Sequence, residues 1–374
     1  MTSEFTSFPH KFPGAARDET KALRFIQKTD QETDVIKLDN PIGKRAIAAV
    51  MTTLLATAGI VHAQQSMDDP ARAGYYSAMK GKRVVFVPVF MGLDLTEGWS
   101  KMMKKQADAL GYKYEVRNSN FNTAAGAQTL TSLITEKPNV IVVQNPDVQS
   151  YAKLLAKAEA VGIHVIQLNM KTNTLTSGFV GADVIAIGET QARAAVEKCG
   201  AGTSGKVLIL AGPPTSPFSA YMIKGYENIF SKTPAIKVVA QQSTGDYESA
   251  KAKSITQVVL QQHPDLCAVL GVWDNTDVGT AAAIKEAGKT GKVFVSTSGG
   301  GGELACKGIQ EGMWDHYVSY DVPGQARDLN ALISASLQDK NKVGTTKTIL
   351  YTPLVVYNKA NLKNQFCWTL NTIR

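Results

Sequence analysis

The chain has 374 residues, of which 44% are hydrophobic and 19% are charged, a composition typical of folded globular domains and not of disordered segments. This length is sufficient for two domains of ordinary size. The net charge of +8 comes from lysines and arginines that are dispersed along the chain and are not grouped with aromatic residues. We therefore expect a solvated basic surface and no nucleic-acid partner.

The N-terminal region has the pattern of an export signal. A Lys-Arg pair at positions 44–45 precedes the apolar run AIAAVMTTLLATAGI, and the small residue Ala63 stands where a signal peptidase would cleave. The run is shorter than the about 20 residues that a transmembrane helix requires. We predict a signal peptide over residues 42–63 that is cleaved after Ala63, and we interpret residues 1–41 as an over-extended, unstructured start. The mature protein is then expected in the periplasm.

From Lys82 onward, strand-like and helix-like stretches alternate without a linker. Short aliphatic runs bounded by polar turns predict strands, and the stretches between them have the residue spacing of helices. The predicted strands are Val84–Phe90, Lys113–Arg117, Val140–Val143, Ile163–Leu168, Phe179–Asp183, Val207–Ala211, Lys237–Gln241, Ala268–Trp273, Val293–Thr297 and His316–Tyr320. This alternation indicates an α/β protein with two doubly wound parallel sheets.

The most complete βαβ unit spans Lys137–Asn169. Val140–Val143 is a purely aliphatic strand, as expected for a strand buried on both faces. The helix that follows it ends at Gly162, and both strands of the unit are followed by an asparagine, Asn145 or Asn169. Ligands of open α/β sheets bind outside the carboxyl ends of the strands, so these two amides are candidates for binding a small polar molecule.

The residues offer little support for catalysis or for a cofactor. The histidines after position 63 fall at strand starts or at a helix end, opposite the strand tips, which argues against a histidine-assisted nucleophile. Asp274 and Asp321, both at strand tips, could form an acid–base pair, but hydrogen bonding to ligand hydroxyls is the simpler role. The sequence Gly300-x-Gly302-x-x-Ala305 meets a loosened dinucleotide-binding pattern. It lies in the fourth βα unit of its predicted sheet and not in the first, which argues against a nucleotide cofactor. We expect no cofactor and no metal.

Aromatic residues also fall near predicted strand tips. Trp273 stands beside Asp274, Tyr247 opens a helix, and Trp99 lies in the first turn of the helix after the first strand. A flat ring beside carboxylate and amide groups is a common way to hold a sugar, whose C–H face stacks on the ring while its hydroxyls form hydrogen bonds. A single such ring is more often part of a core, but the coincidence of several with strand tips favours a ligand site.

Several short motifs occur in a characteristic order over about residues 82–358. They are Ala107-Asp108-Ala109-Leu110-Gly111-Tyr112, Asn145-Pro146, Gly181-Ala182-Asp183, Gly225-Tyr226, His263-Pro264-Asp265, Trp273-Asp274 and Asp321-Val322-Pro323-Gly324-Gln325. In this order the chain resembles the type I periplasmic sugar-binding proteins, in particular the ribose-binding family of ABC importers. The resemblance implies two doubly wound, Rossmann-like lobes with a hinge of three crossovers.

The resemblance places the crossovers near Ala182, near Asp321 and within Thr345–Ile349. The N-terminal lobe is then expected to comprise residues 82–182 plus 322–346, and the C-terminal lobe residues 183–321 plus 347–374. The same comparison implies that the ligand contacts are Asp94, Leu95, Thr96, Trp99, Asn145, Asn169, Met222, Tyr247, Trp273, Asp274 and Asp321.

The chain departs from the ribose binders at several of these positions. Leu95 and Thr96 stand where ribose binders have two adjacent aromatic residues, and Met170 and Met222 stand where they have arginines. Ribose is therefore not assigned as the ligand, and a less oxygen-rich sugar, a deoxysugar or a polyol is left open.

The four cysteines are Cys199, Cys267, Cys306 and Cys367. All fall in the exported part, where disulfides persist, and they allow three connectivities; a free buried thiol is an alternative for Cys267. In the topology that the resemblance implies, all four belong to the C-terminal lobe, with Cys199 and Cys267 on the face away from the cleft. We expect the pairs Cys199–Cys267 and Cys306–Cys367.

Three functions compete. The favoured one is a periplasmic receptor of an ABC importer, a monomer without enzymatic activity that binds a small sugar or polyol and delivers it to a membrane permease. The second is a sugar-sensing module of a chemoreceptor or regulator; a repressor would need a helix-turn-helix where residues 1–63 have an export signal. The third is an exported carbohydrate-active hydrolase that uses Asp274 and Asp321.

Overall fold

The structure, a computed structural model, describes residues 69–373. The predicted signal peptide and its cleavage site lie outside these residues. Within residues 69–373, no helix combines the length and the apolar character that a membrane span requires.

Strands and helices alternate along the described residues, as the sequence predicts. The strands are β1 Arg83–Val87, β2 Lys113–Val116, β3 Val140–Val143, β4 His164–Leu168, β5 Gly178–Gly181, β6 Lys206–Ala211, β7 Lys237–Ser243, β8 Ala268–Gly271, β9 Phe294–Gly299, β10 His316–Ser319, β11 Thr348–Tyr351 and β12 Val355–Tyr357. The helices are α1 Pro70–Met79, α2 Asp94–Leu110, α3 Thr123–Glu136, α4 Ala152–Ala160, α5 Val184–Lys198, α6 Pro217–Phe230, α7 Ser249–Gln262, α8 Asp274–Glu286, α9 Glu303–Glu311 and α10 Val322–Gln338, with a short 3-10 turn at Leu362–Asn364.

The strands form two six-stranded sheets, one in each lobe. The first has the order β11-β5-β4-β3-β1-β2 with all strands parallel. The second has the order β12-β10-β9-β8-β6-β7, in which β12 alone runs antiparallel to its neighbour. Each order reverses direction within the sheet, so both lobes are doubly wound and the predicted fold class is confirmed.

Strand β3 shows how the sequence builds the core of the first lobe. All four of its residues are buried. Val140 and Val142 pack in the same cluster as Met102 and Met103 of α2, whereas Ile141 packs on the opposite face with side chains of α3 and α4. Aliphatic side chains on both faces of the strand are what a sheet covered by helices on both sides requires.

The chain crosses between the lobes three times. The first crossing follows β5 through Ala182, and the second follows β10 through Asp321, where the resemblance placed them. The third lies within residues 352–354, because β11 pairs with β5 in the first sheet before β12 joins the second. The expected boundary within Thr345–Ile349 is therefore too early: the chain after α10 first returns to the edge of the first sheet, where Thr348 N–H donates to Ser177 O at 3.0 Å.

Two disulfides are present, with the expected pairing. Cys199–Cys267 joins the end of α5 to the residue before β8, and Cys306–Cys367 joins α9 to the C-terminal segment 358–373. That segment continues onto the first lobe, where the ring of Trp368 packs against Gly98 of α2; a Cβ at Gly98 would lie 3.1 Å from it. The C-terminal segment thus contacts both lobes.

Candidate ligand-binding cleft

A cavity of about 270 Å³ lies between the two lobes. Its walls come from the residues that follow β1, β2, β3 and β4 in the first lobe and β6, β7, β8 and β10 in the second. The carboxyl ends of both sheets therefore face one shared space, the position at which open α/β sheets bind ligands.

Four aromatic side chains form a continuous aromatic wall, which we define as Phe90, Phe121, Tyr247 and Trp273. Phe90 and Phe121 of the first lobe stack with centroids 4.5 Å apart. Trp273 of the second lobe lies 5.9 Å from Phe90 and meets Tyr247 edge-on at 5.8 Å. The contact between Phe90 and Trp273 joins the two lobes across the cleft.

Local backbone geometry positions the two phenylalanines. Strand β1 ends at Val87 because Pro88 has no N–H to continue the ladder, so Phe90 leaves the sheet and points into the cleft region. After β2, Asn120 and Phe121 both have positive φ, 49° and 58°, and Phe121 N–H donates to Val89 O at 2.7 Å. This left-handed turn brings the Phe121 ring onto Phe90.

The second lobe fixes Tyr247 and Trp273. Tyr247 has a φ of 63°, and its hydroxyl lies 2.6 Å from Ser216 Oγ. Its ring lies over Gly212, where a Cβ would come within 2.2 Å of it, so only glycine fits at that position. Trp273 is the residue that precedes α8, and its backbone carbonyl accepts from Asp277 N–H at 3.0 Å.

Two carboxylates line the cavity, one from each lobe, Asp147 and Asp246. Burial disfavours the ionised form of Asp147, but hydrogen bonds from the Ser150 side chain and from the backbone N–H groups of Gln149 and Ser150 outweigh it, so its pKa lies below the ordinary value. Asp147 is therefore ionised at neutral pH. Asp246 is exposed to the cleft and forms no hydrogen bond to another described residue.

Asn169 connects the cavity to the hinge. Its Oδ1 accepts from the side-chain amide of Gln325 at 3.2 Å and lies 3.5 Å from the backbone nitrogen of Ala182. Ala182 belongs to the first crossing, and Gln325 lies in the first turn of α10, after the second. The side-chain NH₂ of Asn169 has no partner among the described residues, which leaves a donor for a ligand.

The structure places four of the predicted contacts, Leu95, Asn169, Tyr247 and Trp273, in the wall of this cavity. Asp94 and Asp274 line an adjoining cavity of about 190 Å³, which shares Leu95 and Trp273 with the first.

Asp274 is turned into the protein. It is only 5% exposed and accepts from the Tyr317 hydroxyl at 2.8 Å and from Asn275 N–H at 2.8 Å. Burial raises its pKa to about 6. The Asp274 side chain is thus hydrogen-bonded to residues of the second lobe and does not line the main cavity.

Thr96, Trp99, Asn145 and Met222 are buried and line neither cavity. Trp99 was expected in the first turn of its helix, but helix α2 begins at Asp94, so Trp99 lies in the second turn and packs in the core. Met222 packs with the core where α6 meets α5, and its carbonyl lies against Gly188. For these two residues the predicted ligand role is replaced by core packing.

Asn145 and Asp321 have structural roles. The Asn145 amide donates to Gln167 Oε1 at 3.0 Å and to Met170 O at 2.7 Å, so it braces the neighbouring loop after β4. Asp321 has a φ of 50° at the second crossing, and its carboxylate lies against Gly324, where a Cβ would be 2.1 Å from Oδ2. Asp321 lines neither cavity.

Thirteen of the seventeen lining residues were not among the predicted contacts, and these include Phe90, Phe121, Asp147 and Asp246. Pro88 could have indicated that Phe90 lines the cavity, because a proline ends a central strand and the residues after it leave the sheet. The dipeptide Gly245-Asp246 before Tyr247 was the signal for Asp246, as a turn after a strand. No comparable signal identifies Phe121, whose position depends on two consecutive left-handed residues.

Two doubly wound lobes, three crossings and a cavity at the carboxyl ends of both sheets define a two-lobed ligand-binding protein. A family model described as a periplasmic binding protein domain matches residues 84–341, and the chain belongs to this family.

Curated relatives are similar over part of their length. The D-allose-binding periplasmic protein of Escherichia coli (strain K12) is 33% identical over 149 residues, which are 38% of this chain and 47% of that protein. The xylitol-binding protein of Mycolicibacterium smegmatis is 25% identical over 229 residues, 61% of this chain and 65% of that protein. The matched regions thus span less than two thirds of either relative.

A solved structure extends the likeness at the level of the fold. A galactofuranose binding protein superposes with a TM-score of 0.69 at 18% identity, covering 78% of this chain and 100% of that one.

Proposed function

We propose that this protein is the periplasmic receptor of an ABC importer, which binds a small sugar or polyol between its lobes and delivers it to a membrane permease. The observation that carries the proposal is the cavity between the lobes, whose aromatic wall is built by both of them. The names of the relatives, which include allose- and xylitol-binding proteins, support a hydroxylated ligand.

The proposed binding mode uses two kinds of contact. The aromatic wall offers ring faces to the C–H groups of a sugar or polyol, while Asp147, Asp246 and the NH₂ group of Asn169 offer hydrogen-bond acceptors and a donor to its hydroxyls. Asp94 and Asp274 reach the ligand only if it extends into the adjoining cavity.

Transport follows from contacts on both lobes. A ligand that touches Phe90 and Trp273 together binds the closed form better than an open one, and this differential affinity is what a permease could recognise. We propose that the protein acts as a monomer in the periplasm and begins at Gln64, and that it performs no catalysis. N-terminal sequencing of the exported protein should read Gln64-Gln65-Ser66.

The test is calorimetric titration of the purified protein against a panel of pentoses, hexoses, deoxysugars and polyols, with chromatographic analysis after incubation. Binding of one ligand class without turnover, together with compaction in small-angle scattering, is the expected result. Turnover would favour the hydrolase hypothesis, and absence of binding across the panel would refute the proposal.

A further inference from the structure

The walls of the cleft carry negative charge only. Asp147 and Asp246 line the main cavity, and Asp94, Asp274 and Glu303 line the adjoining one. Among residues 69–373, no lysine, arginine or histidine lines either cavity. This is the reverse of the whole chain, whose formal net charge is +8. Carboxylates on the walls of a cleft concentrate their field within it, so the cleft attracts cations although the protein as a whole is basic.

Most of these carboxylates have no internal counterion. The side chains of Asp94, Asp246 and Glu303 form no hydrogen bond or ion pair with another described residue. Asp147 is ionised, and its partners are the neutral Ser150 hydroxyl and backbone N–H groups. The two carboxylates of the main cavity therefore leave a charge that only a bound molecule or solvent ions can balance.

The lysine nearest to the cavity along the chain is engaged elsewhere. Lys171 follows Met170, but its Nζ lies 2.6 Å from the Tyr351 hydroxyl and 4.9 Å from the ring centroids of both Phe179 and Tyr351. These contacts hold the ammonium group on rings outside the cavity wall. Lys171 thus lies in the loop beside the cavity but is not one of the residues that line it.

The aromatic wall also attracts cations. Its four rings, from Phe90, Phe121, Tyr247 and Trp273, come from both lobes. The face of an aromatic ring attracts a cation, most strongly where water is excluded. Carboxylates and aromatic ring faces in one cavity are a common arrangement for holding an organic ammonium group.

We infer that the cleft selects a small hydroxylated ligand that carries a positive charge, namely an amino sugar or an amino-polyol, over its neutral counterpart. The inference rests on the proposed function and names the ligand class of the same site. The ammonium group lies against the aromatic wall between Asp147 and Asp246, and the hydroxyls reach the NH₂ group of Asn169 and the remaining polar groups.

The test is calorimetric titration with matched pairs: glucosamine against glucose, galactosamine against galactose, and glucamine against sorbitol, with N-acetylglucosamine as an uncharged derivative of similar shape. At least one amine should bind about tenfold or more tightly than its neutral partner at low ionic strength. Its affinity should fall as salt is added, whereas that of a neutral ligand should not.

Two variants distinguish the effect of charge in the cleft on ligand affinity from the effect of the protein's overall charge. Asp246→Asn keeps an acceptor oxygen for hydroxyls but removes the charge, so it should weaken binding of the amine by about fivefold or more relative to its effect on the neutral partner. Glu227→Gln makes the same change of charge on the exposed face of α6, beside Lys224, and should change neither.

The outcomes distinguish the two proposals. Equal or tighter binding of the neutral partners, or equal effects of Asp246→Asn and Glu227→Gln, would overturn the inference and leave a neutral sugar receptor. If no member of either series binds, and none of the wider panel of pentoses, hexoses, deoxysugars and polyols binds, the proposed function itself fails, and the inference falls with it.

Discussion

Replacing Trp273 by alanine should weaken ligand binding strongly without unfolding the protein. Trp273 lines both cavities and is the residue of the second lobe whose ring meets Phe90 of the first, at 5.9 Å. It also meets Tyr247 edge-on at 5.8 Å. The substitution removes the ring face on which the ligand would pack, and it also removes an interlobe contact that favours the closed form.

The magnitude can be worked from these contacts. One interlobe aromatic pair is worth about 0.5–1.5 kcal/mol, and burial of a ligand face against the ring adds about 1–2 kcal/mol. The sum, about 1.5–3.5 kcal/mol, corresponds to a loss of roughly 10- to 300-fold in affinity. The aliphatic strands of the core do not include this side chain, so the melting temperature should fall by only a few degrees.

The assay is titration calorimetry on Trp273→Ala, Trp273→Phe and the wild type, with scattering to follow closure. Phe366→Ala is the matched control, because Phe366 is an aromatic residue that is 61% exposed and lines neither cavity. We expect Trp273→Phe to recover part of the affinity and Phe366→Ala to match the wild type. Unchanged affinity in Trp273→Ala would mean that the ligand does not occupy this cavity.

Three further predictions concern the hinge, a disulfide and two buried carboxyl groups. Asn169→Ala should lower affinity by about tenfold, since it removes a cleft donor and the acceptor for Gln325; calorimetry showing no change would exclude Asn169 from the site. Serine at both positions of the Cys306–Cys367 disulfide should cost up to about 4 kcal/mol of unfolding free energy, and a denaturation midpoint equal to the wild type would contradict this. Burial raises the pKa of Asp277 to about 7 and that of Asp274 to about 6, so the folded state keeps protons that the unfolded chain releases, and stability should fall as pH rises from about 4 to about 7. Asp277→Asn should flatten that fall and raise the melting temperature at pH 8; a steeper dependence would refute the assignment.

The arrangement of strands and helices could be predicted because it depends on local patterns. The aliphatic run Val140–Val143 becomes β3 without a change of boundary, since a strand buried on both faces needs apolar residues at every position. The third crossing was placed too early because β11 is a short edge strand whose residues alternate between exposed and half-buried. Such a strand belongs to a sheet by pairing with β5, which no local pattern shows.

The candidate site was predicted less completely, because position at a strand tip does not fix where a side chain points. Asn145 and Asn169 occupy equivalent tips, yet the first braces a loop through Gln167 and Met170 while the second faces the cavity. Trp99 was expected to reach the cleft, but the earlier start of α2 turns it into the core. These outcomes depend on helix register and on tertiary contacts, which cannot be derived from the spacing of residues in the sequence.

Asn169 can link ligand binding to closure of the cleft, because it contacts both the cavity and the hinge. Asn169 lines the cavity, and its Oδ1 is shared by Gln325 and Ala182, which stand at two of the three crossings. A ligand hydroxyl that accepts from the Asn169 NH₂ would fix the orientation of this amide and so strengthen both hinge contacts in the closed form. Because a ligand shifts an equilibrium only by its differential affinity for the two forms, the aromatic contact across the cleft and the Asn169 contacts at the hinge are the two places where that difference arises.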